Sequence, residues 1–249
     1  MPEVRDKKGA IINKVPVPSK DDWIVDLKVS IANDGKTIKG GAGLALYYLQ
    51  SINQEEIGNG VFGYTRNFKG LAVFMNSLFQ SVDGDVSQNW LQLFANDGTK
   101  QTNPMKIKGE KNCKAIFRNL PGDDSFHLRL EYQKPTVSLY YFDKEKDGFK
   151  QCASVDFEMD FAGIFMITGA SGLNNPDHIY IDNFAMYDPT ERVAESHNQH
   201  FHDAHLKKSI HDMVIFDHEH HLKDLLHSSE SFFNKELFGE DNLLNMIPD

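Results

Sequence analysis

Three carboxylates alternate with apolar residues in one segment of this 249-residue chain, and carboxylates can perform acid–base chemistry. Asp156, Glu158 and Asp160 would project from one face of a strand predicted over 155–161. Carboxylates so placed can act as acid, base or nucleophile in glycoside hydrolysis. No second acidic cluster stands out as their partner, and a solvent face opposite a buried Phe/Met/Phe face explains the same alternation. The favoured interpretation is a solvated strand surface.

Histidine is the second candidate for chemistry, because nine of the eleven histidines lie between His197 and His227. One helical turn separates His197 from His200 and His218 from His221, so each pair could share a zinc ion. Solvated neutral histidine on a helix is the commoner case. The cluster also titrates near pH 6.5 among acidic residues, so a response to mildly acidic pH is a further hypothesis.

Two loops resemble ligand-binding motifs only in part. Gly40-Gly41-Ala42-Gly43 could suggest a phosphate-binding loop, but the dinucleotide fingerprint needs a further glycine at a later position and a helix after it, and a strand-like run follows here. Asp83–Asp85 lacks the later ligands of a calcium loop, so a solvated turn is favoured there. No Ser/His/Asp set is signalled either, because only His127 and His178 precede the histidine-rich segment.

The elements that position these residues are predicted to be strands. Trp23, Val25, Leu27 and Val29 alternate with polar residues over 22–31, the period of a half-buried strand. Further strands are predicted at 44–49, 71–75, 90–95, 104–108, 126–132, 136–142, 155–161, 163–168 and 178–187. Turn signals about every ten residues are typical of a β-sandwich.

The character of the chain changes after Asp188-Pro189. Residues 190–238 contain neither Gly nor Pro, and apolar residues recur there with a partial helical period. The apolar positions are Leu206, Ile210, Met213, Val214, Leu222, Leu225 and Leu226. The sequence therefore predicts a sandwich over 1–189 and an acidic, histidine-rich helical stalk over 190–249, through which the protein could form homo- or hetero-oligomers.

Overall charge and hydropathy exclude some classes of protein. A net charge of −10 and a pI near 5.5 offer no concentrated basic surface for nucleic acid. No apolar run approaches the roughly 18 residues that span a bilayer, and the first ten residues are not a signal peptide. If the protein is secretory, we expect this chain to be a lumenal piece whose membrane anchor lies outside it.

The two cysteines, Cys113 and Cys152, each follow a polar residue at the start of an apolar run. They could lie side by side at neighbouring strand ends, where an oxidised pair would stabilise the fold by about 4 kcal/mol. Two free thiols of a cytosolic protein are the equal alternative from composition alone.

Several segments together resemble the L-type (legume-lectin-like) domains of ER–Golgi cargo receptors, from about Gly9 to Pro189. The segments are GGAGLALYYL at Gly40–Leu49, VFGYTRNFKGLAVFMNS at Val61–Ser77, Asn96-Asp97-Gly98, Phe117-Arg118-Asn119 and ITGASGL at Ile167–Leu173. The resemblance implies an all-β, concanavalin-like antiparallel β-sandwich (jelly roll) with a disulfide between the two cysteines. It further implies a non-enzymatic domain in the lumen of the ER, the ER–Golgi intermediate compartment or the Golgi.

The family's ligand-binding positions are largely changed. Ala42 stands where the family has an Asp that accepts hydrogen bonds from sugar, and Asn76 replaces a calcium carboxylate. Leu78 and Gln80 stand where an aromatic residue and an Asn are expected. The candidate carbohydrate-binding residues are Ala42, Gly43, Asn76, Leu78, Gln80, Ser171, Gly172 and Leu173. Because calcium prefers several hard oxygens, including carboxylates, we expect no tight calcium site at the usual place.

Three hypotheses follow. The first is binding of glycoprotein cargo or N-glycans through an altered, calcium-independent site. The second is a protein-interaction module on a lectin scaffold, and the third is a sandwich-fold glycosidase. The family also has strands before the one led by Trp23, so the chain is expected to lack some N-terminal strands of the sandwich.

Overall fold

The computed structural model describes residues 7–17, 22–33, 41, 43–60, 62–77, 80–82, 85–87, 89–102, 111–121, 124–172, 176–189 and 213–217. Within these ranges the chain is almost entirely β-structure, and the single helical element described is a short 3-10 turn at Gln54–Glu56. Among the same residues, no helix is long and apolar enough to cross a bilayer.

The described residues form fourteen strands. In chain order they are β1 (Lys8–Asn13), β2 (Trp23–Ala32), β3 (Gly43–Leu49), β4 (Lys69–Asn76), β5 (Gln80–Val82), β6 (Asp85–Ser87), β7 (Trp90–Asp97), β8 (Lys111–Lys114), β9 (Phe126–Gln133), β10 (Thr136–Asp143), β11 (Gly148–Asp156), β12 (Ile164–Ala170), β13 (His178–Tyr187) and β14 (Met213–Asp217).

These strands build two stacked antiparallel sheets. The larger sheet has seven strands in the order β14-β1-β12-β3-β4-β7-β8, and the smaller has five in the order β11-β10-β9-β2-β13. Strands β5 and β6 form a separate two-stranded pair. The all-β antiparallel sandwich is therefore confirmed.

The main core lies between the two sheets, where the alternation of β2 places Trp23 and the aliphatic residues after it inward. Trp23 contacts Tyr48 and Phe165, with ring centroids 5.4 and 5.5 Å apart. The Tyr48 hydroxyl donates to the Val17 carbonyl and accepts from the Gly163 amide. One aromatic side chain thus ties the β1–β2 connection and the approach to β12 to the centre of the core.

A second apolar cluster covers the other face of the seven-stranded sheet. Its buried aromatic members are Tyr47, Phe62, Tyr64, Phe68, Phe74 and Phe94. Three of these come from the connection between β3 and β4, which therefore folds back over the sheet. Burial of Tyr47 raises the pKa of its hydroxyl, which stays protonated at all physiological pH values.

The two sheets are joined covalently along one side of the sandwich. Cys113 in β8 and Cys152 in β11 form a disulfide with their Cα atoms 5.3 Å apart. Both strands are edge strands of their sheets, so the bridge ties the two edges together. The pairing implied by the family resemblance is confirmed.

One of the strand predictions differs from the structure, and one falls outside the described residues. The strand predicted over 155–161 is wrong, because β11 ends at Asp156. The end of β11 is set by its hairpin partner, since β10 begins at Thr136 and Thr136 pairs with Asp156. The Asp156/Glu158/Asp160 set therefore does not lie on one strand face. The strand predicted over 104–108 lies outside the described residues.

The predicted helical stalk over 190–249 lies mostly outside the described residues, apart from 213–217. Those five residues form β14, so the helical prediction is wrong for Met213 and Val214. β14 pairs antiparallel with β1, from Gly9 opposite Asp217 to Asn13 opposite Met213. A run of apolar, mostly β-branched or aromatic residues suits a strand as well as one face of a helix. The strand is favoured here because β1 has one side that does not pair with β12, and residues 213–217 form hydrogen bonds with that side.

Candidate functional site

Strand register brings the candidate loops to one end of the seven-stranded sheet. β3 begins at Gly43, while β4 ends at Asn76 and β12 ends at Ala170. Gly43 lies opposite Ala170 on one side and opposite Asn76 on the other. The described residues 41 and 43, 76–77 and 171–172 therefore lie at adjacent positions at this end of the sheet. We call these three groups of residues the three site loops.

The residues paired at this end of the sheet, Ala170, Gly43 and Asn76, are followed by paired residues on the next two strands. Asn76 pairs with Trp90 of β7, and Trp90 pairs with Lys114 of β8. With neighbouring strands about 4.8 Å apart, the five positions from Ala170 to Lys114 span roughly 19 Å.

Asn76 and Trp90 lie on the outer face of this sheet. Their neighbours Met75 and Leu91 belong to the main core, and side chains alternate along a strand. Trp90 is half-buried, and the Lys114 ammonium lies 5.4 Å from its ring centroid. The sequence prediction did not include Trp90; an aromatic residue that opens a strand next to a candidate site is the signal that could have found it.

Gly43 cannot be replaced by a larger residue without movement of the backbone. Its φ is +133°, and a Cβ atom there would lie 2.1 Å from the Met75 carbonyl oxygen and 2.9 Å from Phe62 Cε1. The glycine thus lets the first site loop approach both β4 and the second apolar cluster closely. This is a structural reason for the glycine-rich sequence that precedes β3.

A buried carboxylate joins the three site loops. Asp177 Oδ2 accepts hydrogen bonds from the Gly41 amide at 2.9 Å and from Ser77 Oγ at 3.1 Å. The Asp177 amide donates to the Ser171 carbonyl at 3.0 Å. The side chain is fully buried. One residue therefore contacts the first loop, the residue after Asn76, and the third loop.

The charge of Asp177 is balanced by Arg118. Arg118 Nε and Nη2 both donate to Asp177 Oδ1, at 2.8 and 2.6 Å, and the arginine side chain is 3% exposed. Arg118 is held in place by its neighbour Asn119, whose amide donates to the Ile31 carbonyl at the end of β2. In the sequence, Phe117-Arg118-Asn119 is recognisable only through the family resemblance; the function of Arg118 in the site depends on a contact with a residue 59 positions away.

Four of the eight predicted carbohydrate-binding residues are described together at this sheet end: Gly43, Asn76, Ser171 and Gly172. Ala42, Leu78 and Leu173 lie outside the described residues, and Gln80 is described only as backbone of β5. The histidine pairs His197/His200 and His218/His221 also lie outside the described part of the chain.

The described residues at the sheet end do not fit a calcium ion. Asn76 offers a neutral amide in place of a carboxylate, and both oxygens of Asp177 already accept hydrogen bonds. Calcium takes six to eight oxygen ligands. Among the described residues, no three His, Cys, Asp or Glu side chains come together in an arrangement that could hold a metal.

The acidic trio is dispersed over different partners at the surface. Thr136 Oγ1 donates to Asp156 at 2.7 Å, Lys134 forms an ion pair with Glu158 at 2.9 Å, and Lys69 lies 3.8 Å from Asp160. The carboxylates of Glu158 and Asp160 are well exposed. The arrangement matches the solvated interpretation and offers no pair of carboxylates facing a common cleft.

A second buried Asp–Arg pair lies on the outer face of the five-stranded sheet. Asp26 receives two hydrogen bonds from Arg129, both at 2.7 Å, and one from the Tyr187 hydroxyl at 2.6 Å. Burial raises the pKa of Asp26, but the hydrogen bonds and charge of Arg129, with weaker effects of His127 and Tyr187, outweigh burial and hold that pKa well below its ordinary value. The described polar partners of this pair are Tyr187, His127 and Glu131, all on the five-stranded sheet.

Comparison with known proteins points to one family. A family model described as the legume-like lectin family matches residues 1–192. The vesicular integral-membrane protein VIP36 of Mus musculus is 26% identical over 171 residues, which cover 68% of this chain and 44% of that protein. The VIP36-like protein of Homo sapiens is 27% identical over 164 residues, which cover 62% of this chain and 44% of that protein. The chain thus spans less than half the length of these relatives.

Solved structures share the fold. The metal-free VIP36 exoplasmic/lumenal domain is 22% identical with a TM-score of 0.66, covering 76% of this chain and 77% of that one. The Ca2+/Man-bound form of the same domain also has a TM-score of 0.66 at 22% identity, covering 76% of each chain. The Emp47p carbohydrate recognition domain is 16% identical with a TM-score of 0.59, covering 75% and 81%.

Proposed function

The chain belongs to the legume-like lectin family, and from this premise we propose that it is a lumenal recognition domain of an early secretory pathway cargo receptor. Its ligands are N-glycans of glycoprotein cargo, bound at the sheet end where the three site loops meet. The observation that carries this proposal is the register that aligns Gly43, Asn76 and Ala170 at one sheet end. VIP36, whose lumenal domain has been solved bound to calcium and mannose, provides the ligand class to test.

The chemistry of the site supports a weak, calcium-independent contact. Gly172 can present backbone groups to sugar hydroxyls, and the half-buried Trp90 ring offers an apolar face for a sugar ring. Gly43 and Asn76 are buried and shape the sheet end from within. A charged hydrogen-bond partner typically contributes about 1.5–3 kcal/mol, and Ala42 stands where the family supplies one. Its absence lowers affinity by roughly ten- to hundred-fold.

The proposal is tested by titrating the purified protein with high-mannose oligosaccharide in a calorimeter, once with calcium and once with a chelator. We expect any binding to be equal in both conditions and to weaken in Trp90→Leu, which keeps apolar bulk but removes the aromatic face. Ser154→Ala is the matched control, because Ser154 contacts Ser138 on the smaller sheet. Binding that vanishes on chelation would show that a working calcium site exists, against the calcium-independent proposal.

Protein contact on a lectin scaffold is the second candidate function. Two large apolar side chains are exposed on either side of the end of β2: Ile116 is 74% exposed and Tyr180 is 54% exposed. Tyr180 pairs with Ser30. Ile116 lies two residues before Arg118, which bridges to Ile31. Exposed apolar and aromatic side chains can anchor a protein contact. This alternative predicts that a glycoprotein ligand still binds after enzymatic removal of its glycans, and that Ile116→Ser with Tyr180→Ser abolishes the binding. Loss of binding on deglycosylation alone excludes it.

A further inference from the structure

We propose that Asp177 is the positioning residue of the site loops, and that the Asp177–Arg118 ion pair holds these loops in their binding arrangement without calcium. This inference rests on the proposed function only for the use of the loops; their attachment to Asp177 is independent of any ligand.

The two oxygens of Asp177 have separate partners. Oδ1 accepts both hydrogen bonds from Arg118, whereas Oδ2 accepts from the Gly41 amide and from Ser77 Oγ. Arg118 therefore neutralises the carboxylate from one side while the loops attach from the other. Because the side chains of the pair are 0% and 3% exposed, water does not compete for these bonds.

The attachment continues through the backbone. The Asp177 amide donates to the Ser171 carbonyl, and the Ser171 amide donates to the Lys7 carbonyl just before β1. The third site loop is thus fixed between Asp177 and the first strand of the sheet. A bound cation commonly organises loops that carry oxygen ligands; here an internal guanidinium supplies a positive charge beneath the loops, permanently and at every calcium concentration.

The chain contains a matched pair for comparison. Asp26 and Arg129 have side chains 7% and 9% exposed, form two short hydrogen bonds, and involve a third hydroxyl partner, Tyr187, as Asp177 involves Ser77. The Asp26 pair lies on the outer face of the other sheet. Breaking either pair leaves a buried arginine without its carboxylate, so both variants lose stability. Only a change at Asp177 is expected to alter the site loops.

Hydrogen exchange of the site loops in the absence of sugar tests the inference. In Asp177→Asn the side chain has only one acceptor oxygen, which cannot both accept from Arg118 and accept the hydrogen bonds of Gly41 and Ser77. Amide exchange at these loops should therefore accelerate at least about tenfold. Asp26→Asn should leave loop exchange within about twofold of the parent protein. Equal acceleration by both variants would mean a general loss of stability and would overturn the inference.

A double variant separates positioning from simple stabilisation. Asp177→Leu with Arg118→Met removes both buried charges, so the melting temperature should recover towards that of the parent. The loops should nevertheless remain fast in exchange, because a leucine side chain at 177 has no acceptor for the Gly41 amide or the Ser77 hydroxyl. Parallel recovery of melting temperature and loop protection would contradict the inference. If Asp177→Asn does not fold, Ser77→Ala removes one loop bond without unpairing Arg118; unchanged exchange in the loop after Asn76 would then also contradict it.

Calcium alone is the final arm of the experiment. Loop exchange in the parent protein should be the same, within about twofold, with millimolar calcium and with a chelator. A tenfold slowing on addition of calcium would show that an ion, and not Arg118, organises the loops. Because no sugar is present, this outcome is distinct from failure of the calorimetric test: loops can be ordered by Asp177 even if no glycan binds.

Discussion

Loss of the Cys113–Cys152 disulfide should lower the stability of the fold by a calculable amount. The bridge closes a loop with a sequence separation of 39 residues. In the chain-entropy model a loop of this length contributes about 4 kcal/mol at 25 °C. Because about 1 kcal/mol corresponds to about 2–4 °C for a chain of this size, Cys113→Ser with Cys152→Ser should lower the melting temperature by about 8–16 °C.

The position of the disulfide indicates which strand should be destabilised first when the disulfide is removed. β8 has four residues, and its sheet pairing is with β7 alone, from Trp90 opposite Lys114 to Leu93 opposite Lys111. Without the bridge this short edge strand should exchange its amides faster than the central strands do.

Calorimetric melting of the double variant and of each single variant is the assay, because either single change already opens the bridge. All three should melt together, and the parent protein should join them after reduction. A melting temperature within about 3 °C of the oxidised parent would refute the loop-closure reasoning. Labelling of both thiols in native, non-reduced protein would refute the bridge itself.

Two further changes test the two buried features on either side of the sandwich. Asp26→Asn should lower the free energy of unfolding by about 3–5 kcal/mol at pH 7, because Arg129 loses its buried carboxylate. Since the pKa of Asp26 is depressed in the folded state, this difference should shrink as the pH falls below about 3.9. A pH-independent difference in urea unfolding would contradict the assignment. Gly43→Ala should destabilise the fold by at least about 2 kcal/mol, because the new Cβ would lie 2.1 Å from the Met75 carbonyl oxygen. Gly98→Ala is the control, since Gly98 also has a positive φ but its nearest contact would be at 3.5 Å, and it should destabilise the fold less. Equal melting temperatures of the two variants would exclude the steric explanation.

The sequence predicted the sandwich because alternating or continuously apolar strand patterns recur between turn signals about every ten residues. The alternation that begins at Trp23 corresponds to β2, and the apolar runs at 44–49 and 71–75 correspond to β3 and β4. These strands lie inside the sheets, where burial on both faces or on one face controls the sequence directly. The predicted disulfide followed from family resemblance, since composition alone left free thiols equally open.

Edge strands and contacts between distant segments could not be predicted from the sequence in the same way. Lys8–Asn13, Lys111–Lys114 and Met213–Asp217 are edge or near-edge strands, with little periodic signal and partners far along the chain. Asp177 and Arg118 were visible as residues, but their function in the site arises from a contact between segments 59 residues apart. Local periodicity carries no information on such pairs.

The pairing of β1 with both β12 and β14 has a consequence for biosynthesis. β14 lies about 200 residues after β1, and β12 about 155 residues after it. At about 5–20 residues per second, a ribosome needs roughly 10–40 s to make the last of these partners after the first strand has emerged. Until β12 has been made, about three quarters of the way through that interval, the backbone donors and acceptors of Lys8–Asn13 have no native ladder to complete. The side of β1 that pairs with β14 stays open for the whole interval, so the nascent chain depends on whatever shields an exposed strand in its compartment.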